Sequence, residues 1–264
     1  MSDILYERHG QVRLITINRP LVMNSLDFAA NEQLIECWRE FDADTQARVA
    51  VITGAGEQAF CAGADLKTYT MPFATTPAPE FVRRFTNGPG FGGITRNLEI
   101  YKPIIAAVNG YAMSGGLELA LACDLRFCAP QAEFALQDVK WGFHACDGAL
   151  VRLPWIIGLG FAMEMFLSGD RYDAVWAART GLVNGVVDAA QLLTRCLDYA
   201  TKLSSRAPLA HRLGKEVMLR ALGAPLAEGL RQESRSFHDL GATRDLAEGT
   251  SAFRDKRAAN FDGD

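Results

Sequence analysis

A chain of 264 residues can bury one sizeable core with a small appended region, and 49% hydrophobic against 22% charged residues is a globular composition, not a disordered or fibrous one. The net charge of −4 excludes bulk attraction to nucleic acid or to an anionic membrane, so an anionic ligand must be met by locally placed Lys and Arg. Asp3, Glu7 and Arg8 interrupt the N-terminus before a signal core can form, the six cysteines show no CxxC pair, and the four histidines fit no metal-ligand spacing, which together point to reduced thiols, no metal and a cytoplasmic location.

In chain order, residues 4–8 and 11–17 alternate around Gly10 and predict a β-hairpin. Ala30, Leu34, Trp38 and Phe41 lie at helical spacing, with Asp27 placed to cap that helix. Residues 49–53 are a short apolar run suited to a buried strand. Prolines and glycines accumulate over 71–93, which predicts a mobile loop with a short helix near 79–86. Strand 104–109, helix 116–122 and strands 124–128 and 134–136 follow, then a helix over 148–157. The stretch 103–125 has the length of a membrane span but contains Asn109, three glycines and Glu118, so it reads as a buried strand–turn–helix. Strand signals stop near 188, and helices are expected near 188–204, 207–222, 225–240 and 243–257. The chain therefore divides into an α/β core over 1–187 and a helical region over 188–264.

Two segments carry the chemistry: Phe60-Cys61-Ala62-Gly63-Ala64-Asp65-Leu66, and Asn109-Gly110-Tyr111-Ala112-Met113-Ser114-Gly115-Gly116-Leu117-Glu118-Leu119. Each places Gly or Ala where a strand-like run gives way to a helix-like one. Small residues there leave backbone N–H groups uncovered, and two of them aimed at one point would form an oxyanion hole. Glu118 follows Gly115 by three residues, among Leu117, Leu119, Ala120 and Leu121, where a charge is costly without a task.

Taken in order with Asn18-Arg19-Pro20, Asn24-Ser25-Leu26, Val51-Ile52-Thr53-Gly54, Ala122-Cys123-Asp124-Leu125-Arg126 and Ala252-Phe253-Arg254-Asp255-Lys256-Arg257, these segments resemble the crotonase family, the enoyl-CoA hydratase and isomerase superfamily, over nearly the whole chain. The resemblance implies a crotonase-like ββα spiral core. The C-terminal helical region would pack between subunits of a homotrimer or dimer of trimers and cover the CoA site. It implies hydration or dehydration of an enoyl-CoA thioester, with no cofactor beyond the CoA of the substrate. The oxyanion hole maps onto the N–H groups of Ala64 and Gly115, and the carboxylate pair onto Glu118 and position 138. Ala62, Asp65, Leu66 and Lys67 map onto the CoA-binding segment, with Lys67 and Lys256 as phosphate contacts.

Two departures stand out. Position 138 is Asp where the family's hydratases have Glu, which sets the carboxylate back by roughly 1 Å, enough to cost about a hundredfold in rate if uncompensated. Asp138 is either a working acid in a reshaped pocket or a spectator in an enzyme, such as a double-bond isomerase, that needs only Glu118. Trp141-Gly142-Phe143-His144-Ala145-Cys146-Asp147-Gly148-Ala149 then replaces a Gly/Pro-rich run. Trp141 and His144 become candidate walls for an unusual acyl group. Asp147 is either a third acid, one residue from where dienoyl-CoA isomerases and 4-chlorobenzoyl-CoA dehalogenases carry a functional aspartate, or the N-cap of the next helix. Two rival readings remain. Ser114 sits in a nucleophile-elbow pattern and, with Asp138 or Asp147 and His211, has the order of a Ser hydrolase, although this leaves Glu118 and residues 60–66 unexplained. The other is a CoA-ester-binding protein without activity.

Overall fold

In the computed structural model, which describes residues 2–97 and 99–264, the N-terminal alternation folds as an antiparallel hairpin of β1 (Ile4–His9) and β2 (Val12–Ile17). Helix α1 (Phe28–Ala43) follows, with the Asp27 carboxylate accepting from the Ala30 N–H as its cap. Its buried face is Ala30, Leu34, Trp38 and Phe41, together with Asn31 and Ile35. From β3 (Val49–Gly54) to β8 (Glu133–Ala135), successive strands alternate between two sheets. β3, β5 (Ile104–Val108), β7 (Leu125–Cys128) and β10 (Gly185–Val186) join the hairpin in a six-stranded sheet of order β1-β2-β3-β5-β7-β10, parallel from β2 on. β4 (Ala59–Cys61), β6 (Tyr111–Met113), β8 (Glu133–Ala135) and β9 (Tyr172–Asp173) form the smaller sheet in that order. This alternation, punctuated by helices, is the ββα spiral.

β3 and β5 are buried at every position because both faces of the large sheet are covered, as parallel sheets require. Their alternate side chains point to opposite sides. Ala50, Ile52, Ile104 and Ala106 enter the main core with α1, whereas Val49, Val51, Ile105 and Ala107 pack with Leu192, Cys196 and Ala200 of α8 (Leu192–Ser204). The division expected at 187/188 thus falls just before a helix that belongs to the core. The helices beyond it are α9 (Pro208–Ala221), α10 (Leu226–Leu240) and α11 (Arg244–Asp255).

The segment expected as a mobile loop over 71–93 is instead a chain of short helical turns. It includes α2 (Met71–Thr75) and α3 (Ala78–Phe81) and a turn at 82–86. Aromatic packing compensates for its prolines and glycines: Phe28 stacks on Tyr69 at 4.4 Å between ring centroids, and Phe73 and Phe85 meet at 4.5 Å. The remaining helices are α4 (Gly115–Ala122), α5 (Ala149–Ile157), α6 (Leu159–Ser168) and α7 (Ala174–Thr180). All six cysteines are free thiols, and among the described residues no helix is long and apolar enough to cross a membrane.

Candidate active site

The two small-residue segments meet because two asparagines, one buried and one half-buried, tie their loops together. Asn24, in a left-handed conformation and fully buried, donates its amide to the Ala55 and Ala59 carbonyls at 3.0 and 2.7 Å and accepts from the Arg19 N–H at 2.9 Å. Asn109 donates to the Gly54 and Gly56 carbonyls at 3.0 and 2.7 Å. Downstream, the Leu26 N–H donates to the Gly63 carbonyl at 2.9 Å and the Asp65 N–H to the Leu26 carbonyl at 2.8 Å. In such a parallel bridge the N–H of the intervening Ala64 faces the other way. Gly63, at φ +96°, turns the chain there, and a Cβ on it would lie 3.3 Å from the Gly115 nitrogen. A Cβ on Gly116 would come within 1.9 Å of the Cys61 carbonyl oxygen, so only glycine lets the start of α4 dock on β4. Among the described residues neither the Ala64 nor the Gly115 N–H has an acceptor. Two backbone donors without acceptors thus lie close together at the positively polarised end of α4.

Glu118 lies one turn into α4 and is 3% exposed. Its Oε1 accepts from the Asp147 N–H at 2.6 Å and the Ala149 N–H at 3.1 Å. Burial, and then the neighbouring Asp147 charge, push its pKa up to about 8 against those two hydrogen bonds. The far end of α4 is pinned by Arg126, a buried guanidinium that donates to the Leu182 and Cys123 carbonyls at 2.8 and 2.6 Å. Asp138, on the 3-10 turn at Gln137–Trp141, is also buried, and its Oδ2 has no hydrogen-bond partner among the described residues. Burial raises its pKa, and the Ser114 hydroxyl works against that rise. Ser114 is adjacent because Met113 pairs with Ala135 across β6 and β8, three residues before Asp138. Two protonatable carboxyls therefore flank a pair of free backbone donors.

Asp147 does not cap α5; the cap position is Gly148, with no side-chain bond. One oxygen of its carboxylate is already engaged. Oδ1 accepts from Arg96 Nε at 3.0 Å, the Phe91 N–H at 3.2 Å and the Thr95 hydroxyl at 3.3 Å. Trp141 and His144, expected as pocket walls, stand exposed on the single chain, Trp141 to 64%. Gly142, at φ +86°, ends the 3-10 turn, and His144 is close enough to act on the Asp138 charge. The aromatic surface beside Gly115 comes instead from Phe91 and, 5.8 Å away, Tyr69. Phe91 lies in the stretch read from sequence as a loop, where its place among glycines was the available signal; Tyr69 lies just before that stretch, in the turn at Leu66–Thr70.

Of the CoA-segment candidates, Ala62 and Asp65 are half-buried, and Leu66 and Lys67 are exposed. The Asp65 carboxylate is engaged as a cap, accepting from the Lys67 and Thr68 N–H groups at 2.8 and 3.1 Å. Lys256 is exposed at the left-handed end of α11. His211 is on α9 with Arg206 as its charged neighbour and has no hydrogen bond to Ser114, Asp138 or Asp147 among the described residues, so the Ser-hydrolase arrangement does not assemble. Ser114 does hold a strained backbone, φ 49° and ψ −115°.

Comparison with known proteins gives matches over nearly the whole chain. A family model described as enoyl-CoA hydratase/isomerase matches residues 7–264. The chain is 38% identical over 260 residues to (E)-benzylidenesuccinyl-CoA hydratase of Thauera aromatica, covering 98% of this chain and 99% of the relative. It is 39% identical over 263 residues to carnitinyl-CoA dehydratase of Escherichia coli, covering 97% of each. Among solved structures, an enoyl-CoA hydratase from Bacillus anthracis superposes with a TM-score of 0.89 at 33% identity over 100% of both chains. One from Mycobacterium tuberculosis superposes with a TM-score of 0.89 at 34% identity over 99% of both.

Proposed function

The chain belongs to the enoyl-CoA hydratase/isomerase family, and on that premise we propose that it adds water reversibly across the α,β-double bond of an enoyl-CoA thioester. The observation that carries this reading is the buried Glu118 carboxyl beside the unused N–H groups of Ala64 and Gly115. The two donors would hold the thioester oxygen as it gains charge. With a pKa near 8, Glu118 exchanges a proton readily around neutral pH. Its Oε1 is taken by two N–H groups, so Oε2 is left to hold the water and accept its proton. Asp138, with an unpartnered Oδ2 and a raised pKa, would deliver the proton to the α-carbon.

No cofactor beyond the CoA of the substrate is needed for these steps. The CoA moiety would run along Ala62, Asp65, Leu66 and Lys67, with Lys67 and Lys256 meeting its phosphates. Tyr69 and Phe91 provide an apolar wall for the acyl group. Large apolar side chains exposed on α9 and α10, Met218, Leu222, Leu230 and Phe237, support association of the chain into trimers or dimers of trimers. The test is turnover of a panel of enoyl-CoA esters, with products assigned by mass. A gain of one water supports hydration; a shifted double bond at unchanged mass would make Glu118 the lone acid–base group of an isomerase. Binding of every ester without turnover would overturn both.

A further inference from the structure

Glu118 and the Gly115 N–H lie on one helix, yet neither is held by that helix alone. The side chain of Glu118 is fixed from outside by the N–H of Asp147 at 2.6 Å. Gly115 is fixed from outside by Phe91, whose ring lies so close that a Cβ on Gly115 would be 2.9 Å from it. Asp147 joins the two, because its Oδ1 accepts from the Phe91 N–H at 3.2 Å. The same oxygen accepts from the Thr95 hydroxyl at 3.3 Å and Arg96 Nε at 3.0 Å. Arg96 also donates to the Cys146 carbonyl, and Arg152 reaches the Asp147 and Thr95 carbonyls at 3.3 and 2.8 Å. Among the described residues, the hydrogen bonds between the 91–96 turn and the loop before α5 thus run through or beside Asp147, which is only 7% exposed.

We propose that Asp147, paired with Arg96, is a positioning residue that locks the Glu118 carboxyl and the Gly115 N–H into one rigid unit. This rests on the reading of those two groups as the reacting site. A carboxylate and a donor separated by a slack loop would each wander, and misplacement of about 1 Å can lose on the order of a hundredfold in rate. Second to burial, Asp147 also biases the charge state of Glu118. The ionisable groups facing Glu118 are Asp147 and Cys146 on the loop before α5, Asp138 on its 3-10 turn and Arg152 on α5. Arg96 acts on it through Asp147, by neutralising that carboxylate.

The two partners should therefore move the Glu118 titration in opposite directions. Asp147→Asn removes a negative neighbour and leaves Arg96 uncompensated, so the Glu118 pKa should fall. Arg96→Met leaves Asp147 uncompensated, so it should rise, and Arg96→Lys should restore it in part. Carbon-13 NMR of labelled glutamate side chains reads the titration directly, with Glu118 identified by its absence in Glu118→Gln. In the enzyme assay, Asp147→Asn should lower kcat by about tenfold to a hundredfold with KM within about threefold, since the loss is of alignment rather than of substrate contact. An unmoved Glu118 titration in both the Asp147 and Arg96 variants, or wild-type kcat in Asp147→Asn, would overturn the proposal. If Asp147→Asn does not fold, the Arg96 pair decides by the same titration. Should the wild type turn over no enoyl-CoA, the hydratase reading fails, while the carboxyl titration still decides whether Asp147 controls Glu118.

Discussion

Glu118 has consequences for stability as well as for chemistry. In the unfolded chain its carboxyl ionises near 4.5; in the fold it stays protonated to about 8. Between those values the folded state binds more protons, so its contribution to stability is fully present below 4.5 and is lost as pH rises through 8. Glu118→Gln does not titrate and keeps an oxygen for the Asp147 and Ala149 N–H groups. Its stability relative to wild type should climb across that window by an amount on the order of a few kcal/mol and then level off, measured by urea unfolding at several pH values. The same variant should lower turnover by roughly 10²–10⁴ with CoA-ester affinity retained, and near-normal turnover would remove Glu118 from the mechanism. For Asp138, Asn substitution should lower turnover at least about tenfold and remove one limb of the pH–rate profile. Asp138→Glu adds a methylene to a buried site, where overpacking typically costs about 1–3 kcal/mol, so activity should fall rather than recover. A gain in hydration would show that the site is merely a weakened version of one built for two glutamates.

At the scale of elements, the decisive junction is the docking of α4 on β4. The motif around Gly115 and Gly116 was legible in sequence as two small residues between a strand and a helix, but their tasks differ. Gly116 admits the Cys61 carbonyl, and Gly115 admits the Phe91 ring. Gly116→Ala should therefore force α4 off β4. A destabilisation of about 1–3 kcal/mol is expected, which for a chain of this size lowers Tm by roughly 2–4 °C per kcal/mol. Catalysis should fall further than stability does, because the Gly115 N–H moves with the helix; a variant with unchanged kcat would show the junction to be structural only. The helices and long strands were readable because their periodicity spans many residues. The strand Ala59–Cys61 and, apart from the short helix near 79–86, the turns over residues 66–93 were not, since a three-residue strand or a single helical turn leaves no period and is stabilised by distant partners such as Asn24 and Phe28.

For the whole molecule, the amphipathic α9 and α10 pack mainly on each other, and Phe237 is 73% exposed on the single chain. Association into a trimer or hexamer would cover such faces, and light scattering should return the mass of three or six chains. Phe237→Asp should shift that equilibrium toward smaller species if α10 lies in the contact. A monomer at micromolar concentration in the wild type would remove the assembly from the reading.

By itself the sequence determined the family, the alternation of strand and helix, and the small residues that leave backbone donors open, because each of these is a local pattern of side-chain size or polarity. It also singled out Glu118 as a charge among leucines. Only the tertiary structure decided what surrounds that charge. Asp147 reads from its neighbours as a helix cap, yet its carboxylate turns to a loop more than fifty residues earlier and is paired there with Arg96. Trp141 and His144 are exposed, and the aromatic rings packed nearest Gly115 are those of Phe91 and its neighbour Tyr69, which no local pattern in the sequence placed there. The reason is physical: backbone pattern is local information, whereas the partners of a buried polar group are set by which distant segments the sheet brings together.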